Sequence, residues 1–313
     1  MTTSFTESKN EIRVAHLGNS IQYFNDLPRL LEHMLKTTFD VVHQDSCLRG
    51  GASLPSLWRE GNGMATKFHT DNARRPDGTY DIGQPTVHAL LTKGIDSNQS
   101  THDQNHHKPF DFVIMNDYTQ APARKNTMEA TLEALRVHYG PLLKKQQQKL
   151  LESRGHKQIT PVFVQTWAYR KTSKGSEDLG TVEQFTAKLE NGYQNYVNYL
   201  RNDFGLKRTT MAPVGMVFLW MYHHRPKLWE NLFYKDDFHP SPHGTWLEAC
   251  VLYMTLTDGL FPPPLFNPYW FETARYMMPP EEGQLPLPTS EEAEEIRSVV
   301  ANLLLETPAI QMS

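Results

Sequence analysis

Ile12-Arg13-Val14-Ala15-His16-Leu17-Gly18-Asn19-Ser20 is a short apolar-rich run that stops at a Gly-Asn-Ser turn, and it reads as a β-strand feeding a helix. Behind it Leu27, Leu30, Leu31, Met34 and Leu35 recur at helical spacing, with Asn25 or Asp26 ahead of Pro28 as the helix start. The same unit returns along the chain. Phe39-Asp40-Val41-Val42-His43 is a second strand running toward Gly50-Gly51, and Phe110–Met115 is a third, followed by Asn116-Asp117. A helical pattern spans Met128 to Leu151. Pro161–Thr166 is strand four, Val182 to Phe204 the next helix, and Arg208–Val214 strand five. Strands alternating with helices imply βαβ crossovers, so the expected fold is a three-layer α/β/α sandwich around a mainly parallel five-stranded sheet. Such sheets bind ligands beyond the carboxyl ends of their strands. Asn19-Ser20, Gly50-Gly51 and Asn116-Asp117 each fall just past a strand end, which makes them candidates for one shared site.

Two regions break the alternation. Residues 59–108 are rich in Gly, Asn, Asp, His and Gln apart from a helical patch at Thr86–Leu91, too long for a plain connection, and read as an insertion forming a lid or wall. Residues 261–288 are Pro-rich and are expected to wrap the surface. A last helix from Ser290 to Leu305 opens on Glu291, Glu292, Glu294 and Glu295, which suit a helix N-terminus. The whole of 1–313 is read as one domain, with 261–313 as its wrap and closing helix.

Of 313 residues, 39% are hydrophobic and 21% charged, as a chain with a real core requires. A formal net charge of −4 with no basic run argues against a nucleic-acid partner. The two cysteines, Cys47 and Cys250, imply no disulfide framework. Met1–Glu7 lacks the basic and apolar regions of a secretory signal, and no apolar stretch reaches the roughly 18 residues of a membrane span, so a cytoplasmic protein is expected.

Serine is a poor nucleophile until a base takes its proton; imidazole is the usual base, and a carboxylate holds that imidazole in the right tautomer. Ser20 sits where a strand turns into a helix, so its hydroxyl can face the crevice and its N–H an incoming oxyanion. Near the C-terminus, Asp236-Asp237-Phe238-His239-Pro240 places His239 in a Pro-punctuated loop before an apolar helix, Trp246 to Tyr253. Asp236 can curl back to Nδ1 of His239. Metal readings are weaker. His102 and His106 lie in a polar loop, and Pro240 and Pro242 keep His239 and His243 from sharing a regular helix, so neither metal nor cofactor is expected. Gly50-Gly51 lacks the Gly-Lys-Ser/Thr of a phosphate cradle. Trp220, Tyr222, Trp229, Phe233 and Tyr234 are read as core, or as walls of an acyl or sugar pocket.

Together these blocks resemble the SGNH/GDSL hydrolase superfamily. Gly18-Asn19-Ser20 resembles its first block, Gly51-Ala52-Ser53 its second, Asn116-Asp117 its third and Asp236-x-x-His239 its last. The likeness is closer to an uncharacterised SGNH-type branch, through Asn25-Asp26-Leu27-Pro28, Gly50-Gly51-Ala52-Ser53-Leu54, Thr166-Trp167-Ala168 and Asp237-x-His239-Pro240-Ser241. It covers roughly residues 12 to 258. Asn19 stands where the best-known members have Asp, and Ile114 where the third block usually begins with glycine. The resemblance implies a flavodoxin-like strand order, Ser20 as nucleophile, His239 as base and Asp236 as orienting acid, with adjacent Asp237 the alternative. It also implies an oxyanion hole from the N–H groups of Ser20 and Gly51 and the side-chain amide of Asn116. The expected activity is hydrolysis of a carboxylic ester, such as an acylated sugar or lipid. An acyltransferase using the same residues, or a non-catalytic carbohydrate- or lipid-binding protein on the same fold, are the alternatives. Oligomeric state is not legible.

Overall fold

Strand β1 (Glu11–Gly18) is apolar on both faces because it lies inside the sheet. Val14, Ala15 and Leu17 are wholly buried. The computed structural model describes residues 10–64, 83–93, 108–155, 157–171, 177–263 and 285–306. Within these, β1 is joined by β2 (Val41–Leu48), β3 (Phe112–Met115), β4 (Thr160–Val164) and β5 (Thr210–Ala212) in the order β2-β1-β3-β4-β5, every pairing parallel. This is the flavodoxin-like arrangement, and the chain reverses its direction of winding at β1 and β3. Leu17 pairs with both Cys47 and Met115, and Met115 with Phe163, so four strands end at one level.

The helices are α1 (Ser20–Tyr23), α2 (Leu27–Leu35), α3 (Leu54–Glu60), α4 (Val87–Thr92), α5 (Lys125–Ala134), α6 (Gly140–Arg154), α7 (Val182–Asp203), α8 (Val214–His224), α9 (Pro226–Asn231), α10 (Pro242–Leu256) and α11 (Ser290–Glu306). Strand periodicity sorts the core in two. Ile12, Val14, Ile114, Val162, Val164 and Ala212 face α2, α8, α10 and α11. Ala15, Leu17, Val113, Met115, Phe163 and Met211 face α3, α4, α6 and α7. The result is three layers: helices, sheet, helices.

Several elements differ from the sequence reading. β2 continues through Gln44-Asp45-Ser46 to Leu48, because an edge strand tolerates polar side chains on its half-exposed surface. The pattern at 128–151 is α5 and α6 joined by a π-turn at Leu135–Tyr139. Pro141, which has no N–H to donate, follows directly, and the wider turn accommodates it. Helix α10 is buried on every side, which explains its unbroken apolar run. Helix α11 covers α10, and Trp246 Nε1 donates to Ala293 O at 2.8 Å. A capping box opens α11: Glu292 N–H donates to Thr289 Oγ1 at 3.2 Å, and Thr289 N–H to Glu292 Oε2 at 2.8 Å. Most of the 59–108 insertion and of the 261–288 wrap lies outside the described residues. No helix among the described residues is long and apolar enough to cross a membrane.

Candidate active site

The turn after β1 is built by Asn19. It caps α1 by accepting the Ile21 N–H on Oδ1 at 3.1 Å, while Nδ2 donates to Ala52 O at 2.8 Å and Asp117 O at 3.1 Å. One side chain thereby ties together the loops following β1, β2 and β3. Asp117 extends the tie. Its buried carboxylate accepts from the N–H groups of Leu54 (3.0 Å) and Tyr118 (2.8 Å) and from the hydroxyls of Thr131 (2.6 Å) and Tyr196 (3.0 Å). Burial pushes this carboxyl up, and the four donors oppose it.

Ser20 opens α1 and is 8% exposed. Its Oγ lies 2.7 Å from His239 Nε2, and His239 Nδ1 lies 2.6 Å from Asp236 Oδ2. The second oxygen of Asp236 accepts the N–H groups of Phe238 (3.2 Å) and His239 (3.0 Å), curling the loop as the three-residue spacing suggested. Burial works to raise the Asp236 carboxyl, but His239 and these N–H groups hold it below the usual carboxylate range. Asp237 faces the other way. It is buried with a left-handed φ of 72°, and its carboxylate is held by Arg170 Nε at 2.7 Å and Lys171 Nζ at 3.1 Å. The structure therefore brings Asp236, and not Asp237, to the imidazole.

The His239 loop is fixed from several sides. Trp167 Nε1 donates to Phe238 O at 3.0 Å, and Tyr234 N–H to His239 O at 2.8 Å. Asn25, at a left-handed φ of 52°, donates to Pro240 O at 3.0 Å and Thr245 Oγ1 at 2.9 Å. Phe24 stacks on the imidazole, centroids 4.1 Å apart and planes 2° from parallel. Composition gave no signal for Phe24. Trp167 was marked only by the family resemblance, and Asn25 by that resemblance and as a helix start.

The N–H groups of Ser20 and Gly51 have no protein acceptor among the described residues. Gly51 has φ 69° in a turn closed by Ala52 N–H to Arg49 O at 3.2 Å, while a Cβ there would meet nothing within 4 Å. Its requirement for glycine is thus conformational. Asn116 departs from its expected place. It is wholly buried, and Oδ1 accepts Asn19 N–H at 3.2 Å and Gln22 Nε2 at 2.9 Å. Its Nδ2 donates to Asn19 Oδ1 at 2.8 Å and Asp117 O at 3.1 Å. A backbone donor fixes which end is oxygen. Gly18 shows how closely Asn116 packs, since a Cβ on Gly18 would sit 1.8 Å from Asn116 Oδ1. Asn116 lies behind the turn, with both amide hydrogens committed.

Ser20, His239 and Gly51 share a pocket of about 270 Å³, with Asn19, Ile21, Thr119 and Gln120 also in its wall and rings from Tyr118, Tyr169 and Phe238. Apart from His239, the described residues of its lining carry no ionisable side chain other than the phenols. His243 is buried away from it, 3.4 Å from Glu292 Oε2. No group of three His, Cys, Asp or Glu among the described residues is arranged to hold a metal. His102, His106 and His107 fall outside the described residues.

No protein-family model and no curated protein matches the sequence. Among solved structures, the chain is similar to a DUF4886 family protein from Bacteroides uniformis, at 16% identity and a TM-score of 0.53, covering 95% of both chains. Looser likenesses reach the lipase Lip_vut3 from a goat rumen metagenome (11% identity, 78% of this chain and 97% of that one, TM-score 0.39). They also reach LAE5, an α/β hydrolase enzyme from the metagenome of Lake Arreo, Spain (11% identity, 79% and 95%, TM-score 0.37). What the chain shares with the Bacteroides protein, across nearly its whole length, is the fold.

Proposed function

We propose that this protein is a serine hydrolase of the SGNH/GDSL type, cleaving a carboxylic ester through a seryl-acyl intermediate. The observation that carries the reading is the unbroken hydrogen-bonded chain Asp236–His239–Ser20, opening on a pocket beside two N–H groups without protein acceptors. Ser20 Oγ attacks the ester carbonyl as its proton passes to His239 Nε2, and ionised Asp236 stabilises the imidazolium. The N–H groups of Ser20 and Gly51 receive the developing oxyanion. Collapse expels the alcohol, which takes the proton from His239. Water, deprotonated by the same nitrogen, then attacks the acyl carbon, and His239 passes that proton to Ser20 Oγ as the acyl–oxygen bond breaks and the acid leaves. A pocket of about 270 Å³, walled by three aromatic rings and without fixed charge among the described residues, suits a small uncharged acyl or acetylated-sugar ester.

Intact-mass measurement after fluorophosphonate treatment tests this directly. Wild type is expected to gain one adduct and Ser20→Ala none, with the melting temperature of the variant within a few degrees. An adduct that persists in Ser20→Ala, or none on folded wild type, refutes the assignment. Product analysis with and without added alcohols then separates hydrolysis from acyl transfer.

A further inference from the structure

Two backbone donors leave an oxyanion hole short of the third that Asn116 was expected to supply. Asn116 cannot donate to a bound substrate without breaking its bonds to Asn19 and Asp117. Of the polar side chains in the pocket wall, Asn19 is fully committed to Ile21, Ala52, Asn116 and Asp117. Gln120 Nε2 donates to Tyr169 OH at 3.0 Å and its Oε1 accepts from Arg124, while Tyr118 and Tyr169 interact through their hydroxyls. Thr119 is different. It lines the same pocket as Ser20 and Gly51, is 7% exposed, and its hydroxyl has no partner among the described residues.

We infer that Thr119 is the third oxyanion donor, its hydroxyl replacing the amide of Asn116. This rests on the serine-hydrolase reading above. Two features of the chain place it there. Asp117 is pinned by four donors and Asn19 holds the Asp117 carbonyl, so the loop leaving β3 first reaches the pocket at Tyr118, Thr119 and Gln120. Of these, Thr119 alone has a side-chain polar group with no partner among the described residues. A threonine hydroxyl also both donates and accepts. It can donate to a tetrahedral oxyanion without leaving a buried amide unpaired in the empty enzyme.

The test compares wild type, Thr119→Val and Thr119→Ser on p-nitrophenyl acetate, with the rate of fluorophosphonate labelling as a second readout. The phosphonyl oxygen of that adduct would occupy the same hole. Loss of one such donor lowers kcat by about 10²–10³-fold. Thr119→Val is expected to fall by that factor, to be labelled correspondingly slowly and to keep KM within about threefold. Thr119→Ser is expected to stay within about tenfold of wild type. Should the valine variant misfold, Thr119→Ala replaces it, with circular dichroism checking the fold. Turnover by Thr119→Val within threefold of wild type overturns the proposal, as does an equal loss in Thr119→Ser. In either case wild-type labelling at Ser20 leaves the hydrolase reading intact; absence of that labelling is what removes both.

Discussion

Asp236→Asn separates the two adjacent aspartates and tests whether the hydrogen-bond chain carries catalysis. Asp236 Oδ1 accepts two backbone N–H groups, from Phe238 and His239, so an amide placed there must keep its oxygen at that end. Its nitrogen is then forced to the position of Oδ2, 2.6 Å from His239 Nδ1. There it donates to Nδ1, which moves the ring hydrogen to Nε2, the nitrogen facing Ser20 Oγ at 2.7 Å. An imidazole protonated at Nε2 cannot take the serine proton. The expected loss is about 10³–10⁴ in kcat, or roughly 4–5.5 kcal/mol of transition-state stabilisation. The loop bonds survive, so the melting temperature should change little. Asp237→Asn should do the reverse. Asn tolerates the left-handed φ, but the ion pairs with Arg170 and Lys171 go, costing about 1–3 kcal/mol of stability with kcat within a few-fold. Both variants are assayed by p-nitrophenyl acetate hydrolysis and thermal unfolding. Asp236→Asn turning over within tenfold of wild type would refute the argument.

Two further perturbations probe the surroundings. Gly18→Ala puts a methyl 1.8 Å from Asn116 Oδ1 and 2.7 Å from Gln22 Nε2, both packed and hydrogen-bonded, so thermal unfolding should show a loss of at least about 3 kcal/mol or no folded protein at all. Glu248 is wholly buried on α10, its carboxyl oxygens have no partner among the described residues, and burial pushes its pKa well up. The folded state therefore keeps a proton that the unfolded state releases above its ordinary glutamate pKa, so Glu248 lowers stability increasingly as pH rises from that point. Glu248→Gln should melt at least 2–4 °C higher than wild type at pH 8, about 1 kcal/mol, with the gap closing at pH 4; a gap that does not depend on pH would contradict this.

The sheet was legible because its central strands are buried on both faces, so Val14-Ala15-His16-Leu17 and Phe112–Met115 stand out as apolar runs with polar turns after them. The edge was not. Gln44, Asp45 and Ser46 resemble a loop in composition, and only their pairing with Val14, Ala15 and His16 makes them strand. Helix α3 was not legible although Ser53 and Ser56 form a capping box with Pro55 in the first turn, because its seven residues bury only Leu54 and Leu57 and carry too little periodicity to mark a helix. The strand-end position of Ser20 and the curl of Asp236 onto His239 were readable because each needs only local geometry, a strand turning into a helix and a three-residue spacing in a Pro-bounded loop. Asn116 was misplaced because a motif names a residue type at a position, and cannot say which neighbours have already used its hydrogen bonds.

That distinction orders the whole site. Past the ends of β1, β2 and β3 lie polar groups of two kinds. Asn19 and Asn116 each donate twice and accept twice, and the Asp117 carboxylate accepts four times; their capacity is filled within the protein. The N–H groups of Ser20 and Gly51 and the hydroxyl of Thr119 have no protein acceptor among the described residues and belong to residues that line the pocket. A filled group holds the loops, and its removal strands its partners in a low-dielectric interior, at about 1–3 kcal/mol for each buried group left unsatisfied. An open group contributes nothing to the empty fold and, in the proposed reaction, acts only when charge develops opposite it. Substitutions at Asn19, Asn116 and Asp117 should therefore lower stability before they lower rate, and those at Thr119 should lower rate before stability. Hydrogen-bond saturation, read residue by residue, thus separates the scaffold from the chemistry in a site where both are made of the same few polar side chains.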